Sequence, residues 1–196
     1  MAYQNKDPYT YPNSNVLENK FGIRDFQLLE QIEAKIYYRK CFLAFPKRNF
    51  NYQHLKAIHK HLFGEVYDWA GQTRSVNISK SDGNGPGTLF AFISRIEPEI
   101  NKLFKKLKTE PLSEYNKHDM CACISKYFNE INAVHPFREG NGRTNRAFCS
   151  ELAKQYGYKI HWHRMDKKAY IKASIAGVLE VDYQPMEKLL YDVLEN

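Results

Sequence analysis

Apolar residues recur every three or four positions along most of this sequence, and this spacing restricts the fold to a mainly helical one. The pattern predicts helices over residues 26–45, 52–63, 88–108, 115–134, 143–156, 167–177 and 184–194. Near the middle of the chain, Val76 and Ile78 alternate with polar neighbours, which predicts one short strand or hairpin. The sequence therefore predicts a mainly α domain with one small β-element.

The length of 196 residues suits one domain. The first part of the chain is polar and rich in Pro, Asn and Tyr, so residues 1–25 are predicted to form an irregular arm that packs on the core. Residues 26–196 are predicted to form the folded domain. Between the second and third predicted helices, Asp82–Gly87 is rich in glycine, which predicts a flexible, turn-rich hairpin end.

Composition excludes several classes of protein. Hydrophobic residues make up 43% and charged residues 26% of the chain, which is typical of a folded soluble domain rather than a disordered one. No apolar run reaches the roughly eighteen residues of a membrane-spanning helix, and the N-terminus has no secretory apolar core. The cysteine spacing fits no zinc site, so we expect reduced thiols in a cytoplasmic protein.

The net charge of +7 raises the hypothesis of a non-catalytic helical module that binds nucleic acid. The excess is spread along the chain, apart from a modest cluster between Lys102 and Lys108, and such a run on a helix is usually a solvated face. A nucleotide-binding enzyme also gains from positive potential. Charge alone therefore does not separate these two classes.

Residues 135–146 lie between two predicted helices and read His-Pro-Phe-Arg-Glu-Gly-Asn-Gly-Arg-Thr-Asn-Arg. Pro136 ends the preceding helix, while Gly140 and Gly142 permit positive φ and the close approach of a ligand to the backbone. Asn141 is a good N-cap for the next helix. A glycine-bearing loop that leads into a helix N-terminus presents free N–H groups to an anion, and phosphate is the expected anion.

Charged side chains complete this candidate site. Arg143 and Arg146 are three positions apart on one helical face and can clamp further phosphate oxygens. Glu139 offers one carboxylate, which suits Mg²⁺ shared with substrate phosphates. His135 titrates near neutrality and can accept a proton from an incoming hydroxyl. Taken singly, each residue has an ordinary structural explanation, such as the surface or helix-end role we assign to His59, but together they suit transfer of a phosphorus-containing group.

The complete stretch resembles the motif of the Fic family, in which His is followed by x-Phe-x-Asp/Glu-Gly-Asn-Gly-Arg-x-x-Arg. The resemblance implies a Fic-type helical domain with a β-hairpin flap, and an enzyme that transfers AMP from ATP to a Tyr, Ser or Thr hydroxyl of another protein. It implies that His135 is the catalytic base and that Glu139 holds Mg²⁺. It also implies that the loop from Gly140 to Gly142, together with Arg143 and Arg146, binds the phosphates of ATP.

The resemblance extends beyond this motif. Tyr67–Arg74 is similar to the family segment that precedes the flap. The resemblance implies that the flap, which docks the target by strand-like pairing, comprises Val76, Asn77, Ile78, Ser79 and Lys80. After Lys80 the glycine-rich sequence does not align with the family flap, and this departure leaves the choice of target open.

Many Fic enzymes are inhibited by a helix with the pattern Ser/Thr-x-x-x-Glu-Gly/Asn, whose Glu pairs with the second arginine of the motif, here Arg146. Ser14–Asn19 matches this pattern, but the surrounding segment resembles the N-terminal arm of the antitoxin-controlled class. The resemblance therefore implies a toxin that a separate small antitoxin inhibits by inserting the Glu. Subunits of DNA gyrase or a related topoisomerase are then candidate targets.

A Fic-fold phosphotransferase, or another nucleotidyl transferase, is the main alternative. Relatives that transfer phosphate commonly carry a bulkier residue in place of the second glycine, whereas Gly142 leaves room for the β- and γ-phosphates. A nucleic-acid-binding module gives no reason for the complete motif, so we expect neither a direct nucleic-acid partner nor a membrane partner. The expected location is the bacterial cytoplasm, with translocation into a host cell as an open alternative.

Overall fold

The computed structural model describes residues 7–80 and 87–196, and it confirms the mainly helical fold. In these ranges the α-helices are α1 (Phe26–Cys41), α2 (Tyr52–Phe63), α3 (Ile93–Leu107), α4 (Lys117–Val134), α5 (Asn141–Gln155), α6 (Lys167–Leu179) and α7 (Gln184–Val193). Antiparallel pairs join β1 (Ser79–Lys80) to β2 (Thr88–Leu89) and β3 (Lys159–Ile160) to β4 (Leu194–Glu195). The sequence predicts the first pair only, because β3 and β4 are too short to show an alternating pattern.

Helix α4 lies at the centre of the domain and packs against α3, α5, α6 and α7. A capping box fixes its start, since the Asn116 side chain accepts from the Asp119 N–H and the Asp119 side chain accepts from the Asn116 N–H. Ile124, Tyr127 and Phe128 are among the residues that it buries. Because four helices pack around α4, the position of its C-terminal end is fixed, and so is the start of the loop that follows.

Helix α2 contacts both α1 and α5 and lies next to the same loop. Leu55, Ile58 and Leu62 are fully buried, as their spacing predicts. His59 and Phe63 are buried as well, although the sequence interpretation placed His59 at the surface or at a helix end. The helix thus brings a histidine and an aromatic ring to the inner side of the loop.

Two predicted helix ends are wrong. The helix predicted over residues 26–45 ends at Cys41, and Phe42 is 88% exposed. Pro46 follows shortly afterwards and disfavours helical geometry at the residue before it. The helix predicted from residue 88 begins at Ile93, because the preceding residues are engaged in the pairing of β2 with β1.

The strand predicted around Val76 and Ile78 is also displaced, since β1 begins only at Ser79. The Val76 carbonyl instead accepts a hydrogen bond from the Arg74 guanidinium (2.6 Å). The neighbouring Asn77 side chain accepts from the N–H of Ile93 (3.0 Å), where α3 begins. Residues 82–86 of the predicted hairpin end lie outside the described residues.

Residues 7–25 run along the domain as an irregular segment. Val16 is 3% exposed and belongs to the core, and the Lys20 N–H donates to the Val66 carbonyl (2.8 Å). Ser14–Asn19, which matches the inhibitory pattern, forms no helix here, and Glu18 is exposed. The match in sequence is therefore not accompanied by the helix that inhibition of this kind requires.

None of the helices in the described part of the chain combines the length and the apolar character that crossing a membrane requires.

Candidate active site

The loop between α4 and α5 begins with His135 in a left-handed conformation (φ 50°, ψ 63°). The residue is 3% exposed, and its imidazole stacks on the Phe90 ring at a centroid distance of 3.7 Å. Its Nδ1 lies 3.0 Å from the Asn132 carbonyl, whereas its Nε2 is buried with no partner among the described residues. Because a carbonyl only accepts, Nδ1 carries the proton and Nε2 presents a free lone pair.

The surroundings of His135 favour this neutral form. Burial lowers the pKa of His135 to about 3, and the charges of Lys80 and Arg74 act in the same direction. A neutral imidazole with an unpaired nitrogen can accept a proton at neutral pH. The predicted base is therefore in its accepting form.

Gly140 turns the chain into α5 with a φ of 79°. A Cβ at this position would lie 2.5 Å from Phe63 Cε2, so both the turn and the available space require glycine. Gly140 is also the N-cap residue, and the prediction that Asn141 fills this role is wrong. The Asn141 amide instead spans the loop, accepting from the Phe137 N–H (2.8 Å) and donating to the Phe137 carbonyl (2.7 Å).

The N-terminus of α5 is open. Its first N–H groups have no acceptor within the helix, the N-cap residue Gly140 has no side chain that could cap them, and the first turn contains no acidic residue. A Cβ on Gly142 would meet no described atom within 4 Å, so the fold does not require glycine there as it does at Gly140. Open space over a helix N-terminus is suited to an anion such as phosphate.

Glu139 stands at the edge of this space. Its Oε1 accepts from the Gly140 N–H (2.8 Å). Burial opposes ionisation, but Lys80, this N–H and Arg143 together hold the pKa of Glu139 below its ordinary value. Among the described residues no group of three or more His, Cys, Asp or Glu side chains can hold a metal ion. A single ionised carboxylate such as Glu139 suits Mg²⁺ when substrate phosphate oxygens and water supply the other ligands.

The two arginines of the motif share a helical face, but they have different partners. Arg143 Nη1 lies 2.5 Å from Glu33 Oε1, and its guanidinium carbon lies 4.7 Å from the centroid of the Phe63 ring. Arg146 Nη1 donates to the Tyr170 hydroxyl (3.1 Å). A carboxylate partner for Arg146 is not seen in the described ranges, so this guanidinium remains available to an added anion.

His59 lies directly against the loop. It stacks on the Phe137 ring at 3.9 Å, and its Nδ1 accepts from the Gly71 N–H (2.7 Å). Its Nε2 must then be protonated, and it donates to the Glu139 carbonyl (2.9 Å). Burial lowers the pKa of His59 to about 4, so this pattern persists at neutral pH. His59 thereby fixes the peptide group that leads into Gly140.

Arg74 is a second residue that the sequence interpretation left without a role. It is 3% exposed, and its guanidinium donates to backbone carbonyls rather than to a carboxylate. The acceptors are Val76 (2.6 Å), His135 (2.8 Å), Val134 (3.4 Å) and Ala91. Arg74 thus joins the start of the predicted flap, at Val76, and the segment after β2, at Ala91, to the backbone of the predicted base.

The flap comes near His135, since the charge of Lys80 acts on the imidazole and Phe90, which follows β2, stacks on it. Ser79 and Lys80 pair with Leu89 and Thr88, and both β1 residues are exposed. The other three flap residues, Val76, Asn77 and Ile78, come directly before this strand in the chain. An exposed two-residue strand presents backbone groups to which an extended peptide can add.

Comparison with known sequences agrees with this geometry. The sequence profile of the Fic/DOC family matches residues 49–153. The protein adenylyltransferase VbhT of Bartonella schoenbuchensis is 39% identical over 173 residues, which are 86% of this chain and 35% of VbhT. The chain thus spans about a third of the length of that relative. A Sinorhizobium fredii protein named "Probable protein adenylyltransferase y4lH" is 34% identical over 87% of both chains.

Solved structures show the same arrangement of helices. The N-terminal Fic domain of a VirB-translocated Bep effector protein from Bartonella quintana, with bound ADP, has a TM-score of 0.86 and 31% identity, covering 95% of this chain and 94% of that chain. The BepC protein of Bartonella tribocorum, with bound AMPPNP, has a TM-score of 0.85 and 26% identity, covering 95% of this chain and 96% of that chain. Adenine nucleotides are thus bound by two proteins of this fold.

Proposed function

The chain belongs to the Fic/DOC family, and we propose that it transfers the AMP part of ATP to a hydroxyl side chain of a target protein. The observation that carries the proposal is the buried Nε2 of His135, which has no partner in the part of the chain that the structure describes, in the loop that leads into the N-terminus of α5. A proton acceptor beside an anion-binding helix end is the arrangement that phosphoryl-group chemistry requires. The relatives named as protein adenylyltransferases support the same reaction.

In this reaction the target hydroxyl oxygen attacks the α-phosphorus of ATP while its proton passes to Nε2 of His135. The bond between the α-phosphorus and the bridging oxygen breaks, and pyrophosphate leaves with the electron pair. The N–H groups of Asn141 and Gly142 bind phosphate oxygens, while Gly140, whose own N–H is held by Glu139 Oε1, turns the chain toward them. Arg143 and Arg146 balance the negative charge of the outer phosphates and of the leaving pyrophosphate.

Glu139 is the residue that would hold Mg²⁺, which supplies charge neutralisation at the phosphates when it is bound. The lowered pKa of Glu139 keeps the carboxylate ionised for that role. The target would add a strand to the flap at Ser79 and Lys80, so that its hydroxyl lies above His135.

The biological setting is a further part of the proposal. We place the chain in the bacterial cytoplasm as the toxin of a toxin–antitoxin pair, with a DNA gyrase or topoisomerase subunit as the candidate target. The antitoxin would insert a glutamate that pairs with Arg146. The exposed, non-helical Glu18 supports a separate antitoxin rather than inhibition by the chain itself.

Transfer of the terminal phosphate is the alternative chemistry. The open space over Gly142 favours AMP transfer, because it leaves room for the β- and γ-phosphates over the start of α5.

The decisive experiment incubates purified protein with Mg²⁺ and a bacterial lysate, using ATP labelled at the α- or the γ-phosphate in parallel. The variant is His135→Ala, and the control is His163→Ala, which changes an exposed histidine. We expect protein labelling from α-labelled ATP only, with a loss on the order of a hundredfold or more in His135→Ala.

Protein labelled from γ-labelled ATP would instead establish a kinase-like reaction. Equal labelling by wild type and His135→Ala would remove His135 from the chemistry. If wild type labels nothing, the lysate is replaced by purified gyrase subunits, and failure there also contradicts the proposed target.

A further inference from the structure

We infer that Glu33, held by Tyr67, is a positioning residue that orients Arg143 toward the outer phosphates of the nucleotide. The inference rests on the proposed function, because it assigns Arg143 to phosphate binding. Glu33 lies on α1, far from the motif in sequence. It is the only carboxylate of α1 that is buried, with the whole residue 7% exposed.

The contacts form a chain of three side chains. The Tyr67 hydroxyl donates to Glu33 Oε2, and Glu33 Oε1 lies 2.5 Å from Arg143 Nη1. Burial and the charge of Glu33 raise the pKa of Tyr67, so its hydroxyl keeps the proton that it donates. Each carboxylate oxygen of Glu33 therefore has its own donor, which fixes the plane of the carboxylate.

Arg143 is held from a second direction by aromatic rings. Its guanidinium carbon lies 4.7 Å from the centroid of Phe63 and 5.5 Å from that of Tyr37. Its Nη2 lies 3.7 Å from Glu139 Oε1. One end of the guanidinium is thus directed at Glu33, and the other end is directed toward the side chain beside the open N-terminus of α5.

Without Glu33, the Arg143 side chain could move into a neighbouring cavity. The guanidinium borders a cavity of about 290 Å³ that Glu33, Tyr67 and Glu139 also line. A long arginine side chain beside an open cavity can adopt several rotamers, and holding one of them in advance reduces the ordering that nucleotide binding requires. Removing the charge of Glu33 should release Arg143 into that cavity.

The same contacts are compatible with the opposite effect, in which Glu33 competes with phosphate for Arg143. Two features favour positioning. The Tyr67 hydroxyl anchors Glu33 where it is, and a single carboxylate oxygen occupies only one end of the guanidinium. The remaining N–H groups of Arg143 are left for the nucleotide.

The test measures binding by isothermal titration calorimetry with Mg²⁺ and three probes, AMPPNP, ADP and AMP. The variants are Glu33→Gln and Tyr67→Phe, and the control is Glu30→Gln, an exposed carboxylate that lines the same cavity. We expect Glu33→Gln to weaken AMPPNP and ADP about tenfold and to leave AMP unchanged, because AMP lacks the outer phosphates. Tyr67→Phe should weaken AMPPNP less, and Glu30→Gln should have no effect.

A double variant identifies the route of the effect. Glu33→Gln should weaken AMPPNP no further when it is added to Arg143→Gln, since Glu33 acts through Arg143. Tighter AMPPNP binding by Glu33→Gln would show competition and overturn the inference. Equal weakening of all three probes would show general damage and overturn it as well. If wild type binds AMPPNP but labels no protein, the proposed function fails while the comparison of variants still decides the role of Glu33.

Discussion

At the scale of single residues, His135 keeps a buried Nε2 that has no hydrogen-bond partner in residues 7–80 and 87–196, and an unpaired buried group of this kind costs about 1–3 kcal/mol of stability. The hydrogen bond from Nδ1 to the Asn132 carbonyl and the stacked Phe90 ring hold the imidazole in this orientation, so Nε2 does not reach another partner by rotation. An unpaired buried group in a native structure calls for an explanation, and here the lone pair of His135 Nε2 is left free to accept a proton. With His135 as the proposed base, its pKa is expected to set the pH below which AMP transfer is lost.

We expect kcat/KM for the target, at saturating ATP, to fall less than about threefold between roughly pH 7.5 and 5.5. The reason is that His135 has a pKa of about 3 instead of 6.5, so the accepting form persists through this range. A base of ordinary pKa would lose about tenfold over the same interval. Initial rates of AMP transfer across pH test this, and an acid limb centred near 6.5 would contradict it.

The two glycines at the start of α5 should respond in opposite ways. Gly142→Ala should leave the free energy of unfolding unchanged or raise it by up to about 1 kcal/mol, since alanine favours a helix and its Cβ meets no described atom. It should nevertheless lower AMP transfer, because the methyl group enters the phosphate space. Urea unfolding and rate measurements on the same preparation test the separation.

Gly140→Ala is the matched comparison. It should lower the free energy of unfolding by about 1–3 kcal/mol, because a positive φ and the Phe63 ring both oppose a Cβ there. If Gly142→Ala proves equally destabilising, the space over the first turn of α5 is not open as described.

The residues of the motif could be predicted from sequence because they are consecutive and their order carries the chemistry. The residues that hold the motif in place could not, since Glu33 and His59 come from distant helices. The sequence does mark Glu33 and His59 in one way, because each is a polar residue on a helical face that is otherwise apolar. Arg74 leaves no such signal, because its partners are backbone carbonyls that no pattern of side chains reveals.

At the scale of elements, helix α6 approaches α4 closely at Gly177. A Cβ on Gly177 would overlap the side chain of Asn129, whose amide donates to the Ser125 carbonyl (2.9 Å). Both residues are buried, so neither can move aside into solvent. The spacing of these helices therefore depends on the absence of one methyl group.

We expect Gly177→Ala to lower the free energy of unfolding by about 1–3 kcal/mol, although alanine alone favours a helix. Combining it with Asn129→Ala should cost less than the sum of the two single changes, because the overlapping amide is removed. Urea unfolding of the four proteins gives the comparison. Additive effects would mean that Gly177 and Asn129 do not meet.

The same scale shows where sequence reasoning fails. The presence of each long helix follows from apolar spacing, but the ends depend on tertiary contacts. Residues before Ile93 continue the helical pattern, yet β1 and Arg74 engage their backbone. Pairing between distant segments thus overrides a local preference for helix.

At the scale of the whole molecule, buried histidines make stability depend on pH. Burial lowers the pKa values of His54, of His59 to about 4 and of His135 to about 3, from 6.5 in the unfolded chain. The unfolded state then binds more protons below pH 6.5, so stability is complete above that pH and is lost as the pH falls toward the folded values.

We expect the free energy of unfolding to decrease between about pH 6.5 and 5, by up to about 1.4 kcal/mol per pH unit for each buried histidine. His59→Gln should lower the overall stability but make this decrease less steep. His163→Gln, at an exposed position, should leave the slope unchanged. Urea unfolding at several pH values tests the slopes, and equal slopes for His59→Gln and wild type would contradict the assignment.

Arg74 holds Val76 before β1 and Ala91 after β2 through their main-chain carbonyls, and this has a consequence for how such proteins diversify. Since the guanidinium contacts main-chain carbonyls and no side chain at Val76 and Ala91, side-chain changes at these two positions should leave its hydrogen bond to the His135 carbonyl in place. If the flap docks the target as proposed, exposed side chains of β1 can therefore change without altering the main-chain contacts of Arg74. One buried side chain thus holds the loop of His135 and the start of the flap together through main-chain contacts.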